Sequence, residues 1–242
     1  MITIHSLASS SQGNAYLLKD GKAPAPMLLL EAGLPFRELQ KRLWQEGATI
    51  SALAGCLISH EHGDHAKGAT ELALSGVDIF TSPGTRAELL TKGPKLIQHR
   101  VHSLYPRQAV KVYGWDVMPF ETIHDAAEPY GFLIARDDDR LAYITDTAYV
   151  PVRFQGLTAI MVECNYAINL LTTATKSHPE MKKRVIKNHF GLDQVKKFLA
   201  ANDLSAVREI WLLHLSEAHS DAARFKTEIQ CLTGKPVYVA AK

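Results

Sequence analysis

The chain has 242 residues, of which 46% are hydrophobic, so it can bury one large core or two half-domains that share an interface. Its formal net charge of +2 is too small to indicate a general nucleic-acid binder, so any contact with a polyanion has to be local. No linker divides the sequence, and we predict a single domain over residues 1–242.

The cysteines and the apolar runs indicate the cellular compartment that the protein occupies. Cys56, Cys164 and Cys231 lie in separate apolar segments without a Cys-x-x-Cys pair, which argues against a disulfide framework and a cysteine zinc site. The sequence shows no charged-then-apolar leader, and no apolar run approaches the roughly 18 residues of a membrane span. We therefore expect a cytoplasmic protein without a membrane contact.

The first thirty residues predict a meander of three strands, because apolar and polar residues alternate and turn residues separate the runs. A polar loop with the sequence SSSQGN, at residues 9–14, joins the first two strands. Its backbone amides could face an anion, and a plain hairpin turn is the alternative. The predicted strands cover residues 2–7, 14–18 and 27–30.

The hexapeptide HEHGDH at residues 60–65 follows an apolar run that predicts a buried strand at residues 53–59. Four of its six residues carry imidazole or carboxylate groups, and their spacing allows two neighbouring pairs to hold two metal ions. The alternative is a polar loop that is rich in histidine by chance, and the coincidence of four ligand types argues against it. The first pair is His60 and His62, and the second is Asp64 and His65.

Strands and helices alternate along the rest of the chain, which predicts an α/β protein. We expect a four-layer αββα sandwich, with two sheets packed face to face and helices outside. Three aspartates at residues 137–139 predict a solvated hairpin turn, because the spacing and closing glutamate of a calcium loop are missing. The predicted helices cover residues 36–45, 66–74, 85–90, 192–201 and 221–232, and further strands cover 77–81, 110–120, 130–135, 141–145, 159–162, 210–213 and 237–240.

The motif His-x-His-x-Asp-His after an apolar strand resembles that of the metallo-β-lactamase superfamily of binuclear hydrolases. Its outlying ligands also have counterparts here, because His124, Asp146 and His214 each follow a predicted strand. The resemblance implies the metallo-β-lactamase fold and two divalent metal ions, zinc first and manganese as the alternative. It implies that His60, His62 and His124 hold the first ion, that Asp64, His65 and His214 hold the second, and that Asp146 bridges both.

The resemblance also implies the chemistry. A hydroxide held between two cations is a nucleophile at neutral pH, since metal binding lowers the pKa of water from about 15.7 to about 7. The segments around Glu163 and His189 resemble those of the ribonuclease Z branch, in which a histidine lies near the leaving group. His189 could protonate the departing alkoxide and Glu163 could orient it, whereas a helix-capping histidine is the alternative. The implied catalytic residues are Asp64, Glu163 and His189.

Two further segments resemble parts of this superfamily. The loop at residues 9–14 is similar to a Ser/Gly-Asn loop of YycJ-like and PhnP-like phosphodiesterases, which implies that Ser10, Ser11 and Asn14 bind substrate. Glu31 stands where the family has an aspartate that orients the histidine loop, and we expect it to orient the loop without binding metal.

A basic stretch between Glu163 and His189 contacts phosphate, forms an interface with a partner, or is a solvated helix face. Because this stretch is short and the net charge is small, we predict hydrolysis of 3′,5′-cyclic mononucleotides, as in phage-type anti-Pycsar enzymes. The alternatives are a YycJ-like nuclease on DNA or RNA, a glyoxalase II-like hydrolase of thioesters or lactones, and a silent binding module. Analogy with the family implies a homodimer. The basic residues are Lys176, Lys182, Lys183, Arg184 and Lys187.

Overall fold

A computed structural model of the protein describes residues 1–21, 26–173 and 179–241. Within these residues the strands fall into two sheets, one of six strands and one of seven, with helices between the strands along the chain. The predicted mixed α/β fold with two sheets is confirmed. The chain divides into two compact units, Met1–Phe120 with Ala126–Asp138 and Ala241–Lys242, and Glu121–Asp125 with Asp139–Ala240.

The first unit contains the six-stranded sheet, whose strands are ordered as in the sequence. The first three strands are antiparallel, so the predicted meander is confirmed, and the following strands are parallel. Ser10 pairs with Gly13, which makes the SSSQGN segment a tight hairpin turn. The strands are β1 (Ile2–Ser10), β2 (Gly13–Asp20), β3 (Met27–Leu30), β4 (Leu53–Leu57), β5 (Ile79–Thr81) and β6 (Val101–Ser103).

The helices of the first unit cover the apolar face of this sheet, where Leu39 and Leu43 join the core. The single helix predicted over residues 66–74 is wrong, because two short helices stand there. Gly68 interrupts them: its amide donates to the Ala32 carbonyl over 2.7 Å, and a Cβ there would lie 2.7 Å from the Leu34 oxygen. The helices are α1 (Phe36–Gln45), α2 (Gly63–Ala66), α3 (Ala69–Leu74) and α4 (Pro83–Lys92), with 3₁₀ turns at Ile50–Ala52 and Lys95–His99.

Three further strands follow, β7 (Val110–Val112), β8 (Trp115–Glu121) and β9 (Tyr130–Arg136). The antiparallel hairpin of β7 and β8 turns at Tyr113 and Gly114, which both have positive φ, as a tight primed turn requires.

The second unit carries four parallel strands in the order β13-β12-β11-β10. Their residues are almost continuously apolar and buried, which is typical of a parallel sheet covered on both faces. The strands are β10 (Asp139–Ile144), β11 (Ala159–Glu163), β12 (Glu209–Leu213) and β13 (Val237–Val239), and the helices are α5 (Ile168–Thr173), α6 (Pro179–Asn188), α7 (Leu192–Ala200) and α8 (Ala222–Thr233).

The aspartate run differs in part from the prediction. Asp137 and Asp138 form the exposed turn, but Asp139 belongs to β10 and is buried. Arg208 donates to its carboxylate, which explains how a charged residue can enter the strand.

The three cysteines are free, as predicted. Cys56 and Cys164 are buried, and burial raises the pKa of both thiols well above the usual range, whereas Cys231 is exposed. In the described part of the chain, the helices are too short or too polar to cross a membrane.

Candidate metal centre

In the second unit, three adjacent parallel strands deliver three of the candidate site residues. Asp146 follows β10, Glu163 ends β11, and His214 follows β12. The register pairs Ile144 with Val162 and Glu163 with Leu213, so these strand ends are level. Carboxyl ends of parallel strands meet at one edge of a sheet, where α/β proteins place their chemistry.

The side chains at this edge form one buried cluster. Asp146, Glu163, His189 and His214 each offer a ligand atom, and these atoms lie within 4.8 Å of one another. His214 Nδ1 is 2.8 Å from Asp146 Oδ1 and 3.1 Å from Glu163 Oε1. His214 also has a left-handed φ of 52°, a strained conformation for a residue with a Cβ. Buried imidazoles and carboxylates held this closely suit a divalent ion.

Glu163 connects the cluster to its surroundings. Its Oε1 accepts hydrogen bonds from His189 Nδ1 at 2.6 Å and His214 Nδ1 at 3.1 Å. Its Oε2 accepts from the backbone amides of Thr147 at 3.1 Å and Phe190 at 2.9 Å. Burial opposes ionisation, but the two imidazoles outweigh burial and hold the pKa of Glu163 below its usual range.

His189 follows α6, and its ring binds Glu163 instead of capping the helix. Burial disfavours the charged ring, but the Glu163 carboxylate outweighs burial and raises the pKa of His189. His189 Nδ1 lies 3.8 Å from Asp146 Oδ2. The arrangement therefore places an imidazole whose charged form Glu163 stabilises next to the candidate bridging carboxylate.

His124 is held in the orientation that a metal ligand needs. Its Nδ1 donates to the Asn188 carbonyl over 2.8 Å, so Nε2 is the ring nitrogen with the lone pair. Burial lowers the pKa of His124, with Asp146 opposing part of the shift. A neutral ring is the form that binds a metal ion.

The first unit carries the HEHGDH motif. His60 Nε2 lies 3.1 Å from His62 Nδ1, and the His60 and His65 rings are 4.2 Å apart between centroids. His65 Nε2 lies 3.5 Å from Asp64 Oδ2. Helix α2 contains Asp64 and His65, because the chain turns into a helix directly after His62.

Glu31 contacts this motif and supports it, as predicted. It is fully buried, and both its carboxylate oxygens lie 3.3 Å from the Ser59 amide nitrogen. Its Oε2 is 3.6 Å from His65 Nδ1. The φ of Glu31 is 62°, so the backbone is strained where the carboxylate meets the motif.

The predicted substrate loop has a structural connection to the motif. Asn14 is buried, and its Nδ2 donates to the backbone oxygens of Ser10 at 3.0 Å and Asp64 at 3.2 Å. Ser10 Oγ accepts from the Gln12 amide, and Ser11 is exposed at the turn. The side chain of Asn14 thus holds the motif, while substrate binding by Ser10, Ser11 and Asn14 stays a prediction.

Glu61, between the first two histidines of the motif, has contacts that the sequence did not predict. Glu61 Oε1 accepts from the Ala127 amide at 2.8 Å, and Oε2 accepts from Thr85 Oγ1 at 3.1 Å. Glu128, the residue after Ala127, accepts hydrogen bonds from the Gly84 amide and from the Tyr130 hydroxyl. The sequence shows only an acidic residue between two histidines. This pattern does not predict hydrogen-bond partners that are distant in sequence.

Gly33 allows the closest backbone approach at the motif. A Cβ at Gly33 would lie 1.8 Å from the Asp64 carbonyl oxygen and 2.6 Å from the Asn14 amide nitrogen. We expect Gly33→Ala to lower the free energy of unfolding by about 3 kcal/mol or more, because backbone on both sides must move. Urea unfolding measures this change. Gly63→Ala is the matched control, since a Cβ at Gly63 has no neighbour within 4 Å; equal stabilities of the two variants would contradict the prediction.

Comparison with known proteins identifies the family. Residues 27–215 match the profile of the Beta-lactamase superfamily domain. The chain belongs to this superfamily. It is 31% identical over 222 residues to exodeoxyribonuclease YycJ of Bacillus anthracis, a match that covers 87% of this chain and 81% of that protein. It is 26% identical over 223 residues to exodeoxyribonuclease WalJ of Streptococcus pneumoniae serotype 2 (strain D39 / NCTC 7466), covering 88% of this chain and 81% of that protein.

A solved structure confirms the fold. The metallo-β-lactamase fold protein YhfI of Bacillus subtilis aligns with a TM-score of 0.72 over 100% of this chain and 97% of that chain, at 15% identity. The protein is thus a hydrolase of the metallo-β-lactamase fold, related in sequence to the YycJ and WalJ nucleases.

Proposed function

We propose that the protein is a binuclear metal-dependent phosphodiesterase that releases nucleotides from DNA ends. The observation that carries the proposal is the 2.6 Å hydrogen bond between Glu163 and His189, close to Asp146. A phosphodiester leaves behind an alkoxide that needs a proton, and an imidazole fixed at the cluster is suited to give it. DNA is favoured as substrate by the sequence relatives, which are named exodeoxyribonucleases.

In this proposal the family pattern assigns the metal ligands. By that pattern His60, His62 and His124 would hold one ion, Asp64, His65 and His214 would hold the other, and Asp146 would be a ligand to both. The donor chemistry fits, because each unit offers imidazoles and a carboxylate and His124 directs its unprotonated nitrogen away from Asn188. Zinc suits a set this rich in histidine, and manganese is the alternative. The ions, when bound, supply a hydroxide nucleophile and neutralise charge on the phosphate.

The remaining steps belong to the protein's own residues. Glu163 fixes the ring of His189 through Nδ1, which leaves Nε2 to donate a proton to the leaving oxygen. The Glu163 carboxylate stabilises the charged ring until the proton is transferred. Asn188 fixes the metal ligand His124 through its carbonyl, and the next residue in the chain, His189, is the proton donor.

A 3′,5′-cyclic mononucleotide is the second candidate substrate. The pairing of the basic residues on α6 favours it. Arg184 is paired with Asp125 at 2.9 Å, Lys183 with Glu180 at 3.0 Å, and Lys182 donates to the Thr172 carbonyl. The basic stretch therefore offers fewer unpaired cations to a polymer backbone than its sequence suggests. Lys176 lies outside the described residues. An anti-Pycsar role, and the homodimer expected by analogy, remain predictions.

A substrate panel tests the proposal. Metal-loaded protein is incubated with end-labelled single-stranded and duplex DNA, RNA, cyclic CMP, cyclic UMP, cyclic AMP and a thioester, and chromatography separates the products. We expect mononucleotides from DNA ends, and no products from an Asp146→Ala variant purified in parallel, which controls for contaminating nuclease. Opening of cyclic CMP with intact DNA would establish the second candidate. Thioester hydrolysis alone would contradict phosphodiester chemistry.

A further inference from the structure

We propose that a cavity in the second unit binds the base of the nucleotide whose phosphodiester is cleaved; this inference rests on the proposed function. The cavity has a volume of about 300 Å³ and lies between the segment after Asp146 and helix α7. This volume is at the lower end of the range for small-molecule sites, roughly 300–1,000 Å³.

Aromatic rings form its walls. Phe190 and Phe198 are buried with their ring centroids 6.1 Å apart, whereas Tyr149 is 58% exposed at the opening. Phe154 packs behind Phe198 with an edge-to-face ring contact at 6.2 Å. A flat π-face against such rings gains stacking energy whichever base carries it, so the walls suit a nucleobase.

The polar groups of the cavity fit a nucleotide better than a neutral aromatic compound. Arg153 and Lys197 line it and are exposed, and among the described residues neither forms an ion pair. The described residues that line it include no acidic residue. Gln194 Nε2 donates to the Tyr166 hydroxyl, which leaves the amide oxygen of Gln194 to accept from a base. Two cations with aromatic walls select an aromatic ligand that carries negative charge.

The cavity is joined to the candidate catalytic cluster through one carboxylate. Glu163 Oε2 accepts hydrogen bonds from the amides of Phe190, which lines the cavity, and of Thr147, while Oε1 binds His189 and His214. Thr147 Oγ1 in turn accepts from the Tyr149 amide. A base in the cavity would therefore contact Phe190, which follows the proton donor His189 in the chain and is bonded through its amide to the same carboxylate.

Calorimetric titration of the metal-loaded protein tests this assignment. The probes are deoxythymidine 5′-monophosphate, which represents a DNA end, cyclic CMP, and ribose 5-phosphate, which lacks a base. We expect at least one nucleotide to bind roughly tenfold or more tightly than ribose 5-phosphate, because stacking adds to phosphate binding. Tighter binding of the deoxynucleotide assigns the cavity to a DNA end, and tighter binding of cyclic CMP assigns it to a cyclic nucleotide.

Variants attribute the preference to the cavity. Tyr149→Ala should remove most of the difference between nucleotide and ribose 5-phosphate, and Lys197→Glu should weaken nucleotide binding roughly tenfold. Tyr105→Ala, at a tyrosine of similar exposure in the first unit, and Lys226→Glu, on α8, are the matched controls and should bind as the unaltered protein does.

The hydrolysis and binding measurements together distinguish failure of the cavity assignment from failure of the proposed function. If DNA or a cyclic nucleotide is hydrolysed and Tyr149→Ala keeps the full preference for a base, the cavity assignment is overturned and the phosphodiesterase stands. If no phosphodiester is hydrolysed but nucleotides bind in a manner that depends on Tyr149, the cavity assignment stands without the catalytic proposal. Equal affinity of the unaltered protein for the nucleotides and ribose 5-phosphate overturns the assignment.

Discussion

Asp146→Ala is expected to reduce phosphodiester hydrolysis by about a thousandfold or more and to lower the metal content from two ions per chain to one or none. Metal ions contribute several kcal/mol to such reactions, and each 1.36 kcal/mol corresponds to about tenfold in rate. Asp146 is the proposed bridge, and it also holds His214 through a 2.8 Å contact. Loss of the Asp146 carboxylate removes the shared ligand and also removes the contact that holds His214.

The measurements are turnover on labelled DNA and elemental analysis of the purified protein. His62→Ala should behave in the same way, and because His62 is only partly buried, circular dichroism should show a folded chain. Asp138→Ala, in the exposed turn before β10, is the control and should keep both ions. Fully active unaltered protein with one ion or none per chain would contradict the binuclear assignment.

His189→Ala has the second largest expected effect. With a nucleotide leaving group, whose alkoxide must be protonated, we expect kcat to fall by about 10²–10⁴-fold. With p-nitrophenolate as leaving group, which departs without a proton, the loss should be far smaller. The comparison uses a dinucleotide and a nucleoside p-nitrophenyl phosphodiester with the same protein.

The ratio between the two substrates is the informative quantity, because misfolding or metal loss lowers both rates together. His102→Ala is a suitable control, since His102 is partly exposed and pairs with Asp78 in the first unit. Equal losses on both substrates would make His189 a structural residue that completes the bonding of Glu163.

The short-range pattern of the sequence predicted much of this architecture. Apolar runs that end in Asp146, Glu163 and His214 became adjacent parallel strands, because buried strands and their polar ends are encoded locally. The contacts of Glu61 could not be predicted, since Thr85 and Ala127 reach it only through tertiary folding.

The errors have a similar cause. Residues 66–74 have good helical spacing, but the bond from Gly68 to Ala32 ends the first helix. Asp139 looked like a turn residue until Arg208 supplied a partner inside the fold. In each case a partner distant in sequence outweighed the local preference.

The interlock between Gly33 and the HEHGDH motif has a consequence for metal selectivity. Ala32 donates to the His65 carbonyl, Gly33 donates to the Asn14 carbonyl, and Asn14 donates to the Asp64 carbonyl. These bonds join protein to protein, so the loop has its shape before any cation arrives. A site that is rigid in this way does not depend on a particular ion to fold, unlike a zinc finger. Folding of the loop therefore leaves the choice of cation to the donor atoms and to the metal supply.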